Sequence, residues 1–388
     1  MRIEKGRLRV AARCLGSVVF RLLVLALAWS TTAFGAAKPE RYLTYTNEIV
    51  SQMPWSIHVV RVDRSYHDLR FCTTLGGGAV LGMGILTDQL KTLPAELGMP
   101  LAAINGDFYE KAKDYPGRPR DLQIRNGEVI SHPAGHACFW IDAQGNPQMT
   151  NILSRFRVVW PNGKATPFRL NVQRTNDAAV LYTAVLGAST HTSGGIEYVL
   201  ERSAQGEWLP LRVGQTYEAR VRQVQTAGDT PLDRQTAVLS IGPGLVSSVP
   251  PLSPGATVRL IMETTPDLSG AEVAIGGGPT LIEDGKLTSW KDWLNMRHPR
   301  TALGWNQQHI FLVEVDGRQI DVSLGMTFLE LAEYMLKLGC EQAMNLDGGG
   351  SATLWALGAV RSSPSEGQER PSPNALVVVR KNSRQAAK

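Results

Sequence analysis

The densest candidate chemistry in this 388-residue sequence lies at Asn345-Leu-Asp347-Gly348-Gly349-Gly350-Ser351. A carboxylate followed by three glycines and a hydroxyl sets a negative side chain beside a backbone that can approach a ligand closely, because glycine lacks Cβ and accepts positive φ. Successive amides in such a turn can also form an anion-binding nest. The plainer reading is a tight turn in which Asp347 accepts backbone hydrogen bonds. Two earlier stretches share the logic: Leu101-Ala-Ala-Ile104 runs into Asn105-Gly-Asp107-Phe-Tyr109, and Ala271-Glu-Val-Ala-Ile275 runs into Gly276-Gly277-Gly278-Pro279. Each apolar approach reads as a strand delivering its turn to one end of a sheet. Arg300 could grip phosphate through a two-pronged contact; a structural ion pair with Asp347 or Glu369 is the alternative. Asp316-Gly317 reads as a hairpin turn, and Gly76-Gly-Gly78, with no acid or hydroxyl after it, as a bend.

The elements that must position these groups are mostly strands. Ser56–Val62, Phe156–Trp160, Glu218–Val224 and Ala256–Ile261 combine β-branched residues with partial alternation, which suits a sheet with one covered face. Asn126-Gly127 and Asn162-Gly163 mark hairpin turns. The clearest helix runs from near Thr327 to near Leu338. Thr327 and Glu330 form a capping box, Leu331, Ala332, Met335 and Leu338 make an apolar stripe, and Gly339 supplies the stop. The expected class is α+β: a strand-rich mixed or antiparallel sheet core with a few packed helices.

Several familiar chemistries lack their residues. The glycines before Ser351 have no Walker lysine, no GxGxxG follows a convincing first strand, and no Gly-x-Ser-x-Gly elbow occurs. His132 and His136 are four apart, but Pro133 and Gly135 argue against a helix, so ordinary hydrogen-bonding roles are expected of them. Cys72, Cys138 and Cys340 offer at most one disulfide, and buried thiols are the default reading.

Residues 1–35 carry six Lys or Arg and one acid, then Leu22–Trp29 as a short apolar core and Ser30–Ala37 as a small-residue exit. Those three parts make an export signal with a cut near Ala36. Its eight apolar residues fall short of the roughly 20 that span a bilayer, so no stable membrane span is expected after cleavage. Removing the leader cancels the formal charge of +5, which leaves no net pull toward nucleic acid. A periodic pattern that would signal repeats is absent, and the location expected is periplasmic or secreted.

The motifs together resemble the phosphodiester glycosidase family, related to the lysosomal mannose-6-phosphate uncovering enzyme. Asn105–Tyr109, Tyr182-Thr183 through Thr190, Gly276–Pro279, Arg300–Ala302, Asp316–Arg318, Gly325–Ala332, Asn345–Ser351, Pro364-Ser365 and Glu369-Arg370 follow in the family order. Asp107 and Tyr109 stand where Gly and Phe are often found. The resemblance covers most of 95–380 and implies a catalytic domain there, preceded by the signal at 1–35 and a strand-rich region at 36–94 that could join the main domain, and followed by a polar tail at 381–388. It also implies cleavage between an anomeric carbon and a phosphodiester oxygen in an envelope or extracellular glycan.

In that chemistry Asp347 is the first candidate for the carboxylate beside the sugar, with Asp107 or Glu369 as a second acid. Arg300 and the amides of Gly348, Gly349 and Gly350 would take the phosphate charge. Asn105, Tyr109, Thr190, Gly277, Gly278, Asn345 and Ser351 complete the substrate-binding set. A phosphodiester leaves readily, which reduces the need for a strong general acid; this mechanism requires no cofactor, and a divalent cation such as calcium could still take part. The alternatives are a metal-dependent phosphodiesterase, with Asp107 and Asp347 holding a hard cation such as calcium, and a glycan-binding module without catalysis.

Overall fold

Some strands are buried along their whole length, such as Arg300–Trp305 and Ala237–Ile241, and others alternate. From Thr216 to Arg222 successive side chains are exposed and buried in turn, the pattern of a sheet with one wet face. The computed structural model describes residues 42–112, 114–203, 208–290 and 296–381, all within one compact unit, Glu40–Lys388. The expected leader, its Cys14 and the tail beyond Lys381 lie outside the described residues. The predicted strands appear as Trp55–Asp63, Arg157–Val159, Thr216–Gln225 and Thr257–Ile261. Asn126 and Gly127 have φ of 51° and 77° and close the hairpin of Ile124–Arg125 with Glu128–Val129.

Four larger sheets result, and their pairings are antiparallel except for Arg169–Leu170 against Ala179–Tyr182. The α+β class expected from sequence is the class observed. Two sheets matter most for the candidate site. One has the order Leu43–Val50, Trp55–Asp63, His309–Val315, Arg300–Trp305, Gln342–Asn345, Thr280–Glu283, Lys286–Leu287. The other places Met99–Asn105 between Leu354–Ala356 and Ala375–Arg380. Between them Val60, Leu303, Leu312 and Met344 pack with Leu101, Ile104, Leu354 and Leu376. Fully burying each such side chain is worth about 1.5–3 kcal/mol, so this inner face fixes how the two sheets lie together.

The opposite face of the first sheet is covered by the helix Phe328–Lys337, which packs Leu331 and Met335 against Ala302 and Val313. Thr327 accepts from the Glu330 amide at 3.1 Å and the Glu330 carboxylate accepts from the Thr327 amide at 2.9 Å, forming the predicted capping box. Gly339 follows at φ 84°. Cys72, Cys138 and Cys340 are free and buried, so no disulfide joins them. Among the described residues no helix is long and apolar enough to cross a membrane.

Candidate active site

Strand alternation decides which groups reach the inner face. In Arg300–Trp305, Leu303 joins the core between the sheets whereas Ala302 packs under the helix. Thr301 therefore faces inward and Arg300 outward. Thr301 Oγ1 donates to Asn105 Oδ1 at 2.7 Å, and the Thr353 amide donates to the same oxygen at 3.0 Å. Asn105 Nδ2 then donates to the Asp347 carbonyl at 2.6 Å, and the Asp347 amide donates to the Gly106 carbonyl at 3.0 Å. Asn105 thus clamps the acidic turn to two sheets. Loops separated by more than 200 residues meet there.

Asp107 emerges two residues after Asn105 and is fully buried. Its Oδ2 accepts the Asp121 amide at 2.7 Å, while its own amide donates to Asn374 Oδ1 at 2.9 Å. Oδ1 is buried without a hydrogen-bond partner. Burial consequently pushes the carboxyl up to about 7, against the pull of the Asp121 amide and the Arg120 charge. Asp121 is differently served: its oxygens accept from the amides of Leu122, Ala134 and His136 and pair with the His136 ring at 2.7 Å. A Cβ on Gly276 would stand 2.6 Å from Asp107 Oδ2 and 2.6 Å from Asp121 Cβ. Gly276→Ala is expected to cost about 1–3 kcal/mol through overpacking, read as a lower urea midpoint with an unchanged m-value.

Asp347 is partly exposed. Burial raises its pKa, opposed first by the Ser351 hydroxyl and the Gly348 amide, then by the charges of Arg370 and Arg120. The glycine turn after it tightens into a 3-10 segment, Gly349–Ser351. Gly349 sits at φ 61° and its amide donates to the Pro299 carbonyl at 2.9 Å, while the Ser351 amide donates to Gly348 at 3.2 Å. The expected nest is therefore partly closed by the fold's own acceptors. The neighbouring Gly277–Gly278 turn is held by Asn345: the Gly278 amide donates to its carbonyl at 2.7 Å and its Nδ2 donates to the Gly278 carbonyl at 3.0 Å.

Cations ring this region from three segments. Arg120 Nη2 donates to the Gly277 carbonyl at 3.1 Å, and its guanidinium lies 4.3 Å from the Phe108 ring centre. Arg370, paired with Glu366, packs against Gly350, and Tyr109 and Asp347 both act on its charge. Arg318 packs against Gly349. The structure thus connects Asn105, Asp107, Tyr109, Gly277, Gly278, Asn345 and Asp347 through Ser351.

Three expected residues are engaged elsewhere. Arg300 donates through Nε to the Met326 carbonyl at 2.8 Å and through Nη2 to Met296 at 2.8 Å, with its guanidinium 4.0 Å from the Phe328 ring centre. Burial, then Arg318, lowers its pKa to about 10. The strand's period of two sends this side chain under the helix, where backbone carbonyls take up the donors that the expected phosphate contact would use. Glu369 accepts from the Thr87 amide at 3.0 Å and the Thr87 hydroxyl at 2.6 Å, where it serves the start of the helix Leu86–Lys91. Thr190 hydrogen bonds to Glu197 and Thr230.

Arg120, Asp121, Thr301, Thr353 and Asn374 were not singled out from sequence. Arg118-Pro-Arg120-Asp121, charged and set immediately before the apolar Leu122, was the available signal for the first two. Asp316 also differs from the simple turn expected. It is buried, pairs with His58 Nε2 at 2.9 Å and accepts the Ser363 amide at 2.6 Å. His58, Glu314 and Asp316 bring three donor atoms within 4.8 Å of one another, a set able to coordinate a divalent cation. Burial, followed by Asp316, holds the Glu314 carboxyl well above the ordinary carboxylate range. Glu314 pairs across the sheet with both His58 and Thr301, which sets this group one strand from the Asn105 clamp.

Residues 215–379, less than half of the chain, match the family model described as phosphodiester glycosidase. At family level, the chain is related to the phosphodiester glycosidases. Human N-acetylglucosamine-1-phosphodiester alpha-N-acetylglucosaminidase is 33% identical over 109 residues, covering 26% of this chain and 21% of that protein. The SPbeta prophage-derived uncharacterized protein YomE of Bacillus subtilis is 34% identical over 115 residues, covering 28% and 18%. The alignments thus span about a fifth of these relatives' length.

The fold is shared more widely. A hypothetical protein from Synechocystis has a TM-score of 0.69 at 18% identity over 87% of this chain and 62% of that one. A putative exported protein from Burkholderia pseudomallei has a TM-score of 0.63 at 21% identity, covering 84% and 74%. The phosphodiester glycosidase match contains the Gly276, Arg300 and Asp347 segments, whereas Asn105–Tyr109 precedes it in sequence and joins it through hydrogen bonds.

Proposed function

We propose that this chain is an exported hydrolase that cleaves the glycosidic bond of a sugar-1-phosphodiester, drawn from an envelope or extracellular glycan. The observation that carries the reading is the junction of the Asn105–Asp107 loop with the Asp347 turn, both under the influence of Arg120. The name of the human relative supplies the bond class, and the leader-like residues 1–35 supply the periplasmic or secreted setting. Water adds across the bond between the anomeric carbon and oxygen, giving a free sugar and a phosphomonoester.

Asp347 is the carboxylate beside the sugar in this reading, because its side chain combines partial exposure with a raised pKa. It stabilises positive character at the anomeric carbon or takes a proton from the attacking water. Arg120 and Arg370 lie where preorganised positive charge can meet the leaving phosphate. Asp107 is buried beneath and positions the loop, Asn105 and Asn345 fix the turns, and Tyr109 stands beside Arg370 as a surface for the sugar. Arg300, Glu369 and Thr190 hold structural places.

Hydrolysis in ¹⁸O-labelled water tests the assignment. The label is expected in the anomeric hydroxyl of the released sugar. Label in the phosphate would overturn it and favour a metal-dependent phosphodiesterase, for which the His58–Glu314–Asp316 donor set is the concrete candidate. Saturable glycan binding without release of either product would instead favour a binding module.

A further inference from the structure

Arg120 also lines a cavity of about 720 Å³, together with Arg118, Arg155, Arg169, His132 and Glu110. Glu110 pairs with Arg118 at 3.2 Å and the charge of Arg120 acts on Asp107 and Asp347 outside the lining, which leaves Arg155 and Arg169 with no acid of the lining to offset them. Arg120 donates to the Gly277 carbonyl and Arg155 Nε donates to Thr265 Oγ1 at 3.1 Å, so both are held by neutral acceptors. Arg169 is exposed and forms no ion pair among the described residues.

Gathering guanidinium groups in one concavity is electrostatically unfavourable, and an anion relieves the repulsion. Of the two histidines in the wall, His136 pairs with the Asp121 carboxylate, and His132 does not add to the charge at neutral pH. Burial, then Arg169, pushes His132 down to about 4, and its Nδ1 is buried without a partner. Arg120 is common to this cavity and to the acidic site, since its charge also acts on Asp107 and Asp347. A ligand reaching from one to the other would pass along it.

We infer that this cavity is a leaving-group subsite for a second phosphate, so that the substrate is a chain of repeating phosphodiesters rather than an isolated one. The orientation rests on the hydrolase reading above, with the sugar at Asp347 and the rest of the chain running past Arg120 toward Arg169. Arg118, Arg155 and Arg169 then act on binding, not on the bond that breaks.

Calorimetry on the full chain with glycerol 1-phosphate and with its diester-linked trimer tests this directly. The trimer is expected to bind at least about tenfold tighter per molecule, as one charge-assisted contact provides. Arg169→Gln, and its combination with Arg155→Gln, should progressively remove the advantage, as should raising the salt from about 0.05 to about 0.5 M, which shortens the screening length. Arg169→Gln alone keeps the test readable if the double variant fails to fold. Equal affinity for monomer and trimer, or an advantage that Arg169→Gln leaves intact, overturns the inference. Sugar release from a sugar-1-phosphodiester is scored separately: release without a trimer advantage sinks the subsite alone, and a trimer advantage without release sinks the hydrolase reading and with it the leaving-group orientation, leaving only a binding cavity for repeated phosphodiesters.

Discussion

Asp347→Asn is expected to slow hydrolysis of a sugar-1-phosphodiester by about 10²- to 10⁴-fold, the usual reach of a positioned acid or base. The substitution keeps the shape of the side chain. It also keeps the contacts that locate the turn, because the Asp347 amide and carbonyl, not its carboxylate, bond to Gly106 and Asn105. The loss should therefore appear in kcat, with KM little changed and thermal unfolding close to that of the parent. An unchanged turnover would remove Asp347 from the chemistry. A loss confined to KM would reassign it to substrate binding.

Asp107→Asn should separate position from chemistry through pH. The Asp107 carboxyl is raised from the ordinary 3.8 to about 7, chiefly by burial. Below pH 4 the group is protonated in both folded and unfolded chains, so its contribution to stability is fully present. Between 4 and 7 the unfolded chain releases the proton and the folded one retains it, so stability falls as pH rises. At about 1.4 kcal/mol per pH unit the loss reaches on the order of 4 kcal/mol by pH 8. Asparagine cannot titrate. The stability of the parent relative to the variant should thus decline from pH 4 to pH 8, measured by urea unfolding at each pH. A difference that stays flat would show that folding does not hold this proton.

Much of the fold could be read from local pattern. The capping box at Thr327 and Glu330, the hairpin at Asn126-Gly127 and the strand around His58-Val-Val each rest on residues adjacent in sequence, where propensity and periodicity act directly. The pairing of distant turns was legible only as an expectation, from glycines beside acids. What escaped was the direction of single side chains. Arg300 and Thr301 are neighbours, yet the strand turns one under the helix and the other toward Asn105. Glu369 looked like a second acid, but its carboxylate meets the first turn of the helix Leu86–Lys91, which the sequence did not announce. Arg120 was hidden because its importance comes from what lies across space, the Gly277 carbonyl and two acids, not from its neighbours in the chain.

The strand Ala375–Arg380 lies between Met99–Asn105 and Leu69–Thr73, hydrogen-bonded to both. Until residues near 380 have been synthesised, those two earlier strands lack the partner that joins them, and the backbone under Asn105 has an open edge. The proposed pocket is consequently a late product of synthesis. On the export and hydrolase readings proposed above, a nascent chain would carry the individual side chains without the assembled site, and so would be spared from acting on sugar phosphates inside the cell that makes it.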